Sequence, residues 1–153
     1  MVDIGDTAPD FSAPTDGGGT FSLKAQRGAA VVLFFYPKDM TPGCTKEAIA
    51  FSEQIKDFEA ADAIVVGISK DTVARHDKFR DKYDLKVTLV SDEDISICEK
   101  YGVWVEKSLY GRKYMGIERT TFLIDAKGKV RMVWHKVKVP GHSDAVLSDV
   151  KAL

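Results

Sequence analysis

An α/β fold, with a central mixed β-sheet flanked by helices, is predicted by three features of the sequence. Residues 31–36 (Val-Val-Leu-Phe-Phe-Tyr) are continuously apolar and end at Pro37. Residues 63–69 (Ala-Ile-Val-Val-Gly-Ile-Ser) form a second such run, and between the two runs apolar residues recur at Ala48, Phe51, Ile55 and Phe58. Late in the chain, two strand-like segments at 120–125 and 129–135 are joined by Ala126-Lys127-Gly128.

Each element has a local reason. Gly17-Gly18-Gly19 reads as a turn before Thr20-Phe21-Ser22 rather than a phosphate loop, because no helix follows it. The run at 31–36 lacks alternation, which suits a strand buried on both faces. Ala48, Phe51, Ile55 and Phe58 share one face of a helix. Strand, helix and strand in this order form a βαβ crossover, so the two strands pair in parallel. Residues 72–83 and 94–101 read as short helices, with a short strand at 87–90 between them. Residues 104–118 read as a long loop holding at most a short strand. The segments at 120–125 and 129–135 form a hairpin whose turn uses Gly128 at positive φ. A helix at 143–153 closes the chain, with Ser143 as its N-cap. A parallel βαβ half joined to an antiparallel hairpin and a closing helix is a thioredoxin-like arrangement.

Composition narrows the function. A chain of 153 residues is expected to form one domain, residues 1–153, with roughly 70% of the unfolded surface buried. The 44% hydrophobic and 29% charged fractions belong to an ordinary globular protein. The net charge of −1 removes the long-range attraction that nucleic acid or an anionic membrane would exert. Two cysteines, Cys44 and Cys98, are too few for a disulfide scaffold or a cysteine-rich zinc site. Asp3, Asp6 and Asp10 interrupt the first ten residues and no basic residue precedes Lys24, unlike a secretory signal. No apolar stretch approaches the ~20 residues that span a bilayer. A cytoplasmic, reducing environment is the expectation, with free thiols and no metal or other cofactor.

The segment that carries chemistry is 37–47, Pro-Lys-Asp-Met-Thr-Pro-Gly-Cys-Thr-Lys-Glu. It leaves a buried strand and opens an amphipathic helix, so Cys44 falls in the helix's first turn. Unsatisfied N–H groups and the positive end of the helix dipole favour thiolate there. A lone cysteine is commonly an inert core residue. The C-terminal end of a strand, where open α/β folds place their ligands, argues for a nucleophile instead. Pro37 ends strand pairing in any reading. Thr41 is placed to cap the helix, and its hydroxyl can also donate to a substrate oxygen.

Spacing excludes several cysteine enzymes. A tyrosine-phosphatase loop needs arginine where Ala50 stands, and a thioredoxin pair needs cysteine where Glu47 stands. A cysteine protease needs a histidine base, yet His76, His135 and His142 sit in no catalytic signature. On spacing alone, Arg119 reads as a surface ion pair with Glu118 or another carboxylate.

The stretch 35–45 resembles the active-site motif of peroxiredoxins, Pro-x-x-x-Thr-x-x-Cys. Its flanks resemble the Q-type, or bacterioferritin comigratory, branch. So do residues 5–11 (Gly-Asp-Thr-Ala-Pro-Asp-Phe), 110–125 (Tyr-Gly-Arg-Lys-Tyr-Met-Gly-Ile-Glu-Arg-Thr-Thr-Phe-Leu-Ile-Asp) and 136–142 (Lys-Val-Lys-Val-Pro-Gly-His). The resemblance implies a thiol-dependent peroxidase acting on hydrogen peroxide and organic hydroperoxides, and a monomer. By position, Cys44 is the peroxidatic cysteine, and Thr41, Pro37 and Arg119 complete the site. Thr41 and helix N–H groups would align the peroxide oxygens, and Arg119 would stabilise thiolate and departing charge. Pro37 would shield the sulfur. The product would be a sulfenic acid, which is reversible.

The chain departs from this pattern at the second cysteine. Most Q-type members carry it five residues on, where Ile49 stands, or on the next helix, where Arg80 occupies the neighbourhood. Cys98 shares a helical face with Ile95 and Tyr101, which marks a core residue. Pairing it with Cys44 requires Cα atoms within ~7 Å. The expectation is therefore resolution by an external thiol such as glutathione, glutaredoxin or thioredoxin, with Cys98 resolving as the alternative. A peroxide sensor, in which Cys44 oxidation signals to a partner, is the competing function. Trp104, Tyr110 and Met115 are candidates to line an apolar approach for alkyl peroxides.

Overall fold

A computed structural model describes residues 2–153. Its centre is a five-stranded sheet of order β5-β4-β3-β8-β9. β3 (Ala30–Phe35) pairs in parallel with β4 (Ala63–Ser69), which pairs in parallel with β5 (Thr88–Ser91). On its other side β3 pairs antiparallel with β8 (Thr120–Ile124), which pairs with β9 (Val130–Trp134). The mixed α/β architecture agrees with the sequence expectation. A short hairpin of β1 (Ser12–Pro14) and β2 (Thr20–Ser22) precedes the sheet, with the Gly17–Gly19 turn between its strands.

Every residue of β3 is buried because it supplies two cores at once. Val31, Leu33 and Phe35 pack with Phe11, Phe21, Cys98, Tyr101 and Phe122 on one face. Val32, Phe34 and Tyr36 pack with Cys44, Phe51, Phe79 and Val146 on the other. The period of two along a strand sends alternate side chains to opposite faces, so an unbroken apolar run is what two cores require.

The predicted crossover helix is present but broken. α1 (Pro42–Glu53) ends at Gln54 and α2 (Ile55–Ala60) follows at once. The expected helices at 72–83 and 94–101 are α3 (Val73–Tyr83) and α4 (Ser96–Lys100).

Two expectations are corrected. Residues 104–118 are not a loop but a regular hairpin of β6 (Trp104–Leu109) and β7 (Arg112–Ile117). Tyr110 and Gly111 turn it with φ of 51° and 78°, the two positive values of a two-residue hairpin turn. A tyrosine in the first of these positions hides the turn signal. The strands carry mostly exposed side chains, which weakens their hydrophobic pattern. The closing helix α5 (His142–Lys151) starts one residue early and Ser143 does not cap it. Gly141 stands at the cap with φ of 77°, a conformation glycine adopts without a Cβ penalty.

Gly67 at the middle of β4 has no room for a side chain. A Cβ there would lie 2.7 Å from the Phe34 ring and 3.1 Å from the Tyr36 ring. These two rings stack 5.6 Å apart across it. Gly67→Ala is expected to cost about 1–3 kcal/mol through overpacking. The measurement is a lower urea midpoint with an unchanged slope.

Candidate active site

The C-terminal end of β3 delivers Tyr36 and the segment 37–41 to the first turn of α1. Pro42 occupies the start of the helix, where its missing N–H is no loss. Cys44 follows two residues later and is 1% exposed. Thr41 stands at the N-cap position as expected, but its side chain makes no capping bond. Its hydroxyl donates instead to the Lys38 carbonyl at 2.7 Å. The first-turn N–H groups therefore have no side-chain cap.

Arg119 lies between β7 and β8 and reaches back across the sheet. Its Nη2 donates to Cys44 Sγ at 3.3 Å, and its Nη1 donates to Glu47 Oε1 at 2.7 Å. The carboxylate that Arg119 pairs with is thus Glu47 rather than Glu118, and the pair is buried rather than at the surface. Glu118 instead accepts from the Thr120 hydroxyl at 2.8 Å and contacts His135 at 3.0 Å. The reason is topological: β3 and β8 are neighbours, so a residue just before β8 lands beside the helix that follows β3. Gly43 leaves room for the guanidinium, since a Cβ would sit 3.1 Å from Nη2.

Charge in this site is strongly coupled. Burial works against the Arg119 cation, but Glu47 and Cys44 more than offset it and raise its pKa. Burial pushes the Glu47 carboxyl up to about 7, with Arg119 pulling the other way. Glu47 Oε2 has no hydrogen-bond partner. Burial and Arg119 together push His142 down to about 4. His142 contacts the Thr121 hydroxyl at 2.8 Å. The same two causes lower Lys107, on β6.

The remaining sequence candidates separate. Pro37, Trp104 and Met115 line one groove of about 460 Å³ with Lys107, Tyr114 and Ile117. Tyr110 is 97% exposed at the hairpin tip and lines no part of it. A larger cavity of about 750 Å³ lies at the opposite end of the sheet, near Ala30, Asp62 and Asp125. Cys98 is fully buried, and it packs on the face of the sheet opposite Cys44. Burial, reinforced by Asp92, drives its thiol far above the usual range. Arg80, in the neighbourhood where the resemblance leads one to expect a second cysteine, pairs with Asp16 at 3.1 Å and with Asp81 at 3.0 Å.

The AhpC/TSA family model matches residues 4–133. The chain belongs to the AhpC/TSA family. Peroxiredoxin Bcp of Bacillus subtilis is 43% identical over 150 residues, covering 98% of this chain and 96% of that protein. A structure of the Xanthomonas campestris bacterioferritin comigratory protein, studied for its alkyl peroxide reduction activity, superposes with a TM-score of 0.91. It is 41% identical and covers 99% of this chain and 97% of that one. A mutant structure of Xylella fastidiosa peroxiredoxin Q superposes with a TM-score of 0.94 at 38% identity, covering 99% and 97%. The peroxiredoxin resemblance read from the sequence is borne out, and with it the thioredoxin-like fold and the reading as a thiol-dependent peroxidase. No helix among the described residues is long and apolar enough to cross a membrane.

Glu47 is the site residue of this peroxiredoxin that the sequence reading missed. Its one signal was its place a helical turn after Cys44. Between the ordinary carboxyl value of 4.5 and the folded value of about 7, the folded chain binds more protons at Glu47 than the unfolded chain. Its contribution to stability is present below that window and is lost as pH rises through it. Glu47→Gln removes the dependence. From about pH 5 to about pH 8, stability of the variant relative to wild type should improve by roughly 3 kcal/mol. Urea unfolding of both proteins across that range checks it, and parallel pH curves would contradict a buried, raised Glu47.

Proposed function

We propose that Cys44 is the peroxidatic nucleophile and that an external thiol recycles it. The observation that carries this reading is the Arg119 Nη2 donor, 3.3 Å from Sγ, at the first turn of a helix. The Cys44 thiolate attacks the terminal oxygen of the hydroperoxide and forms an S–O bond as the O–O bond breaks. The departing alkoxide or hydroxide takes a proton and leaves as alcohol or water, and Cys44 becomes a sulfenic acid. Negative charge moves from sulfur along the S–O–O line, where Arg119 and first-turn N–H groups stabilise it. Thr41 Oγ1, its proton engaged by the Lys38 carbonyl, accepts from the hydroperoxide O–H rather than donating to it and so holds the oxygens in line, and Pro37 limits water access to the sulfur.

Reduction then uses two thiols. The first attacks the sulfenic sulfur, releases water and leaves a mixed disulfide on Cys44. The second displaces Cys44 as thiolate and carries away the disulfide. Cys98 is unsuited to the first of these roles, since it is buried across the sheet and resists ionisation. Glutathione, glutaredoxin and thioredoxin are the reductants that fit a free sulfenic acid of this kind. We assign the activity to residues 1–153 as one domain, monomeric and in the cytoplasm.

Peroxide consumption over many turnovers with a thiol donor tests catalysis against stoichiometric sensing. Cys44→Ser should abolish it, and Cys98→Ser should retain it. Mass spectrometry after one equivalent of peroxide should show sulfenic acid or its mixed disulfide at Cys44. A dominant Cys44–Cys98 disulfide would sink the external-thiol reading. Arg119→Ala should lower the rate of Cys44 oxidation by about 10²–10³-fold.

The groove beside Pro37 gives a second expected outcome. Its Trp104 and Met115 walls offer apolar contact to an organic hydroperoxide and little to hydrogen peroxide. Trp104→Ala should reduce kcat/KM for a bulky alkyl hydroperoxide about tenfold and leave hydrogen peroxide nearly unchanged. Equal losses for both substrates would remove the groove from substrate selection.

A further inference from the structure

Behind segment 37–41 lies a buried polar cluster that none of the chemistry above employs. Asp39 and His76 are both essentially without solvent exposure. Asp39 Oδ2 lies 2.6 Å from His76 Nδ1, and Asp39 Oδ1 accepts from the Tyr36 hydroxyl at 2.6 Å. The Asp39 N–H donates to Asp71 Oδ2 at 2.8 Å. His76 Nε2 lies 2.9 Å from the Val90 carbonyl.

The hydrogen-bond pattern assigns the protons. A carbonyl only accepts, so Nε2 carries hydrogen. Asp39 Oδ1 accepts from the Tyr36 hydroxyl and Asp39 Oδ2 faces Nδ1, so one proton lies between Asp39 and His76. The His76 cation is favoured beside Asp39, and its pKa is raised. Burial opposes that charge, while Asp39 and the Val90 carbonyl more than offset it. The charged groups around His76 are Asp39 on the segment before α1, Asp71 between β4 and α3, and Arg75 on α3. Arg75 pairs with Asp71 at 3.1 Å. Asp39, Asp71 and His76 also bring ligand atoms within 4.8 Å of one another. Each of those atoms is already engaged in a hydrogen bond or ion pair.

An ion pair this deeply buried is poor at adding stability, because an apolar pair of equal volume does as well or better. What it supplies is placement. Segment 37–41 belongs to no strand or helix, and Met40 within it holds φ of 69°. Asp39 is its anchor: side-chain bonds reach Tyr36, just after β3, and His76 on α3, and the backbone N–H reaches the β4–α3 turn. Pro37 and Thr41 flank that anchor by two residues on each side.

We propose that the buried Asp39–His76 ion pair is a positioning device that sets Pro37 and Thr41 against Cys44. Asp39 and His76 touch no substrate. They act by holding the segment whose residues do.

The inference rests on Cys44 as nucleophile, and one set of variants separates the two claims. The second-order rate of Cys44 oxidation by hydrogen peroxide is measured by stopped flow. The rate of Cys44 alkylation by iodoacetamide is measured alongside, in the full chain. Alkylation reads exposure and nucleophilicity of the sulfur without needing aligned peroxide oxygens. His76→Gln and Asp39→Asn should each slow peroxide oxidation by about tenfold to a hundredfold, while alkylation changes less than about threefold. The double variant should be no slower than the worse single one, since the pair acts as a unit. Oxidation and alkylation changing together, multiplicative losses in the double variant, or unchanged oxidation would each overturn the proposal. Should His76→Gln fail to fold, Tyr36→Phe removes only one donor to Asp39, and the same split is expected at smaller amplitude. Loss of that split in Tyr36→Phe also overturns the proposal. Retained peroxide consumption in Cys44→Ser would instead overturn the underlying nucleophile assignment.

Discussion

The structure depends on one constraint: β3 must be buried on both faces and must end where α1 begins. Six consecutive buried residues place the strand at the centre of the sheet, with a parallel neighbour on one side and an antiparallel one on the other. That central position brings the chain's reactive turn out at the C-terminal edge of β3. It also brings β8 alongside, so that Arg119 arrives from 75 residues away in sequence. An edge strand could supply the turn but not the arginine.

Electrostatics at the site follow from the same burial. A guanidinium beside a nearly inaccessible sulfur needs a counter-charge, and Glu47 provides it from the same face of α1 as Cys44. The pair is unequal in its desolvation, and Glu47 is left with one oxygen unpartnered. Arg119 is consequently held by two partners, Glu47 Oε1 and Cys44 Sγ.

Much of this was legible from local pattern. The strand at 31–36, the helix after it, the crossover to 63–69 and the late hairpin all have periodic or turn signals that tertiary packing did not override. The β6–β7 hairpin was not legible, because its strands are half exposed and its turn uses Tyr110 where asparagine or aspartate would announce it. Ser143 misled as a cap because Gly141 offers a left-handed start that residue preference alone does not rank. Glu47 was visible only as the place of a missing cysteine. Its function depends on Arg119, and nothing in residue spacing joins positions 47 and 119.

The sequence by itself determined the candidate element: a cysteine in the first turn of a helix that follows a buried strand, with Pro37 and Thr41 at fixed offsets. Backbone geometry over eight residues decides that, and it is local. Only the tertiary structure decided what surrounds the sulfur. Arg119 comes from the neighbouring strand, Glu47 is buried against it, His76 grips Asp39 from α3, and Cys98 lies across the sheet. Strand order and the alternation of faces set those distances, and no interval along the chain encodes them.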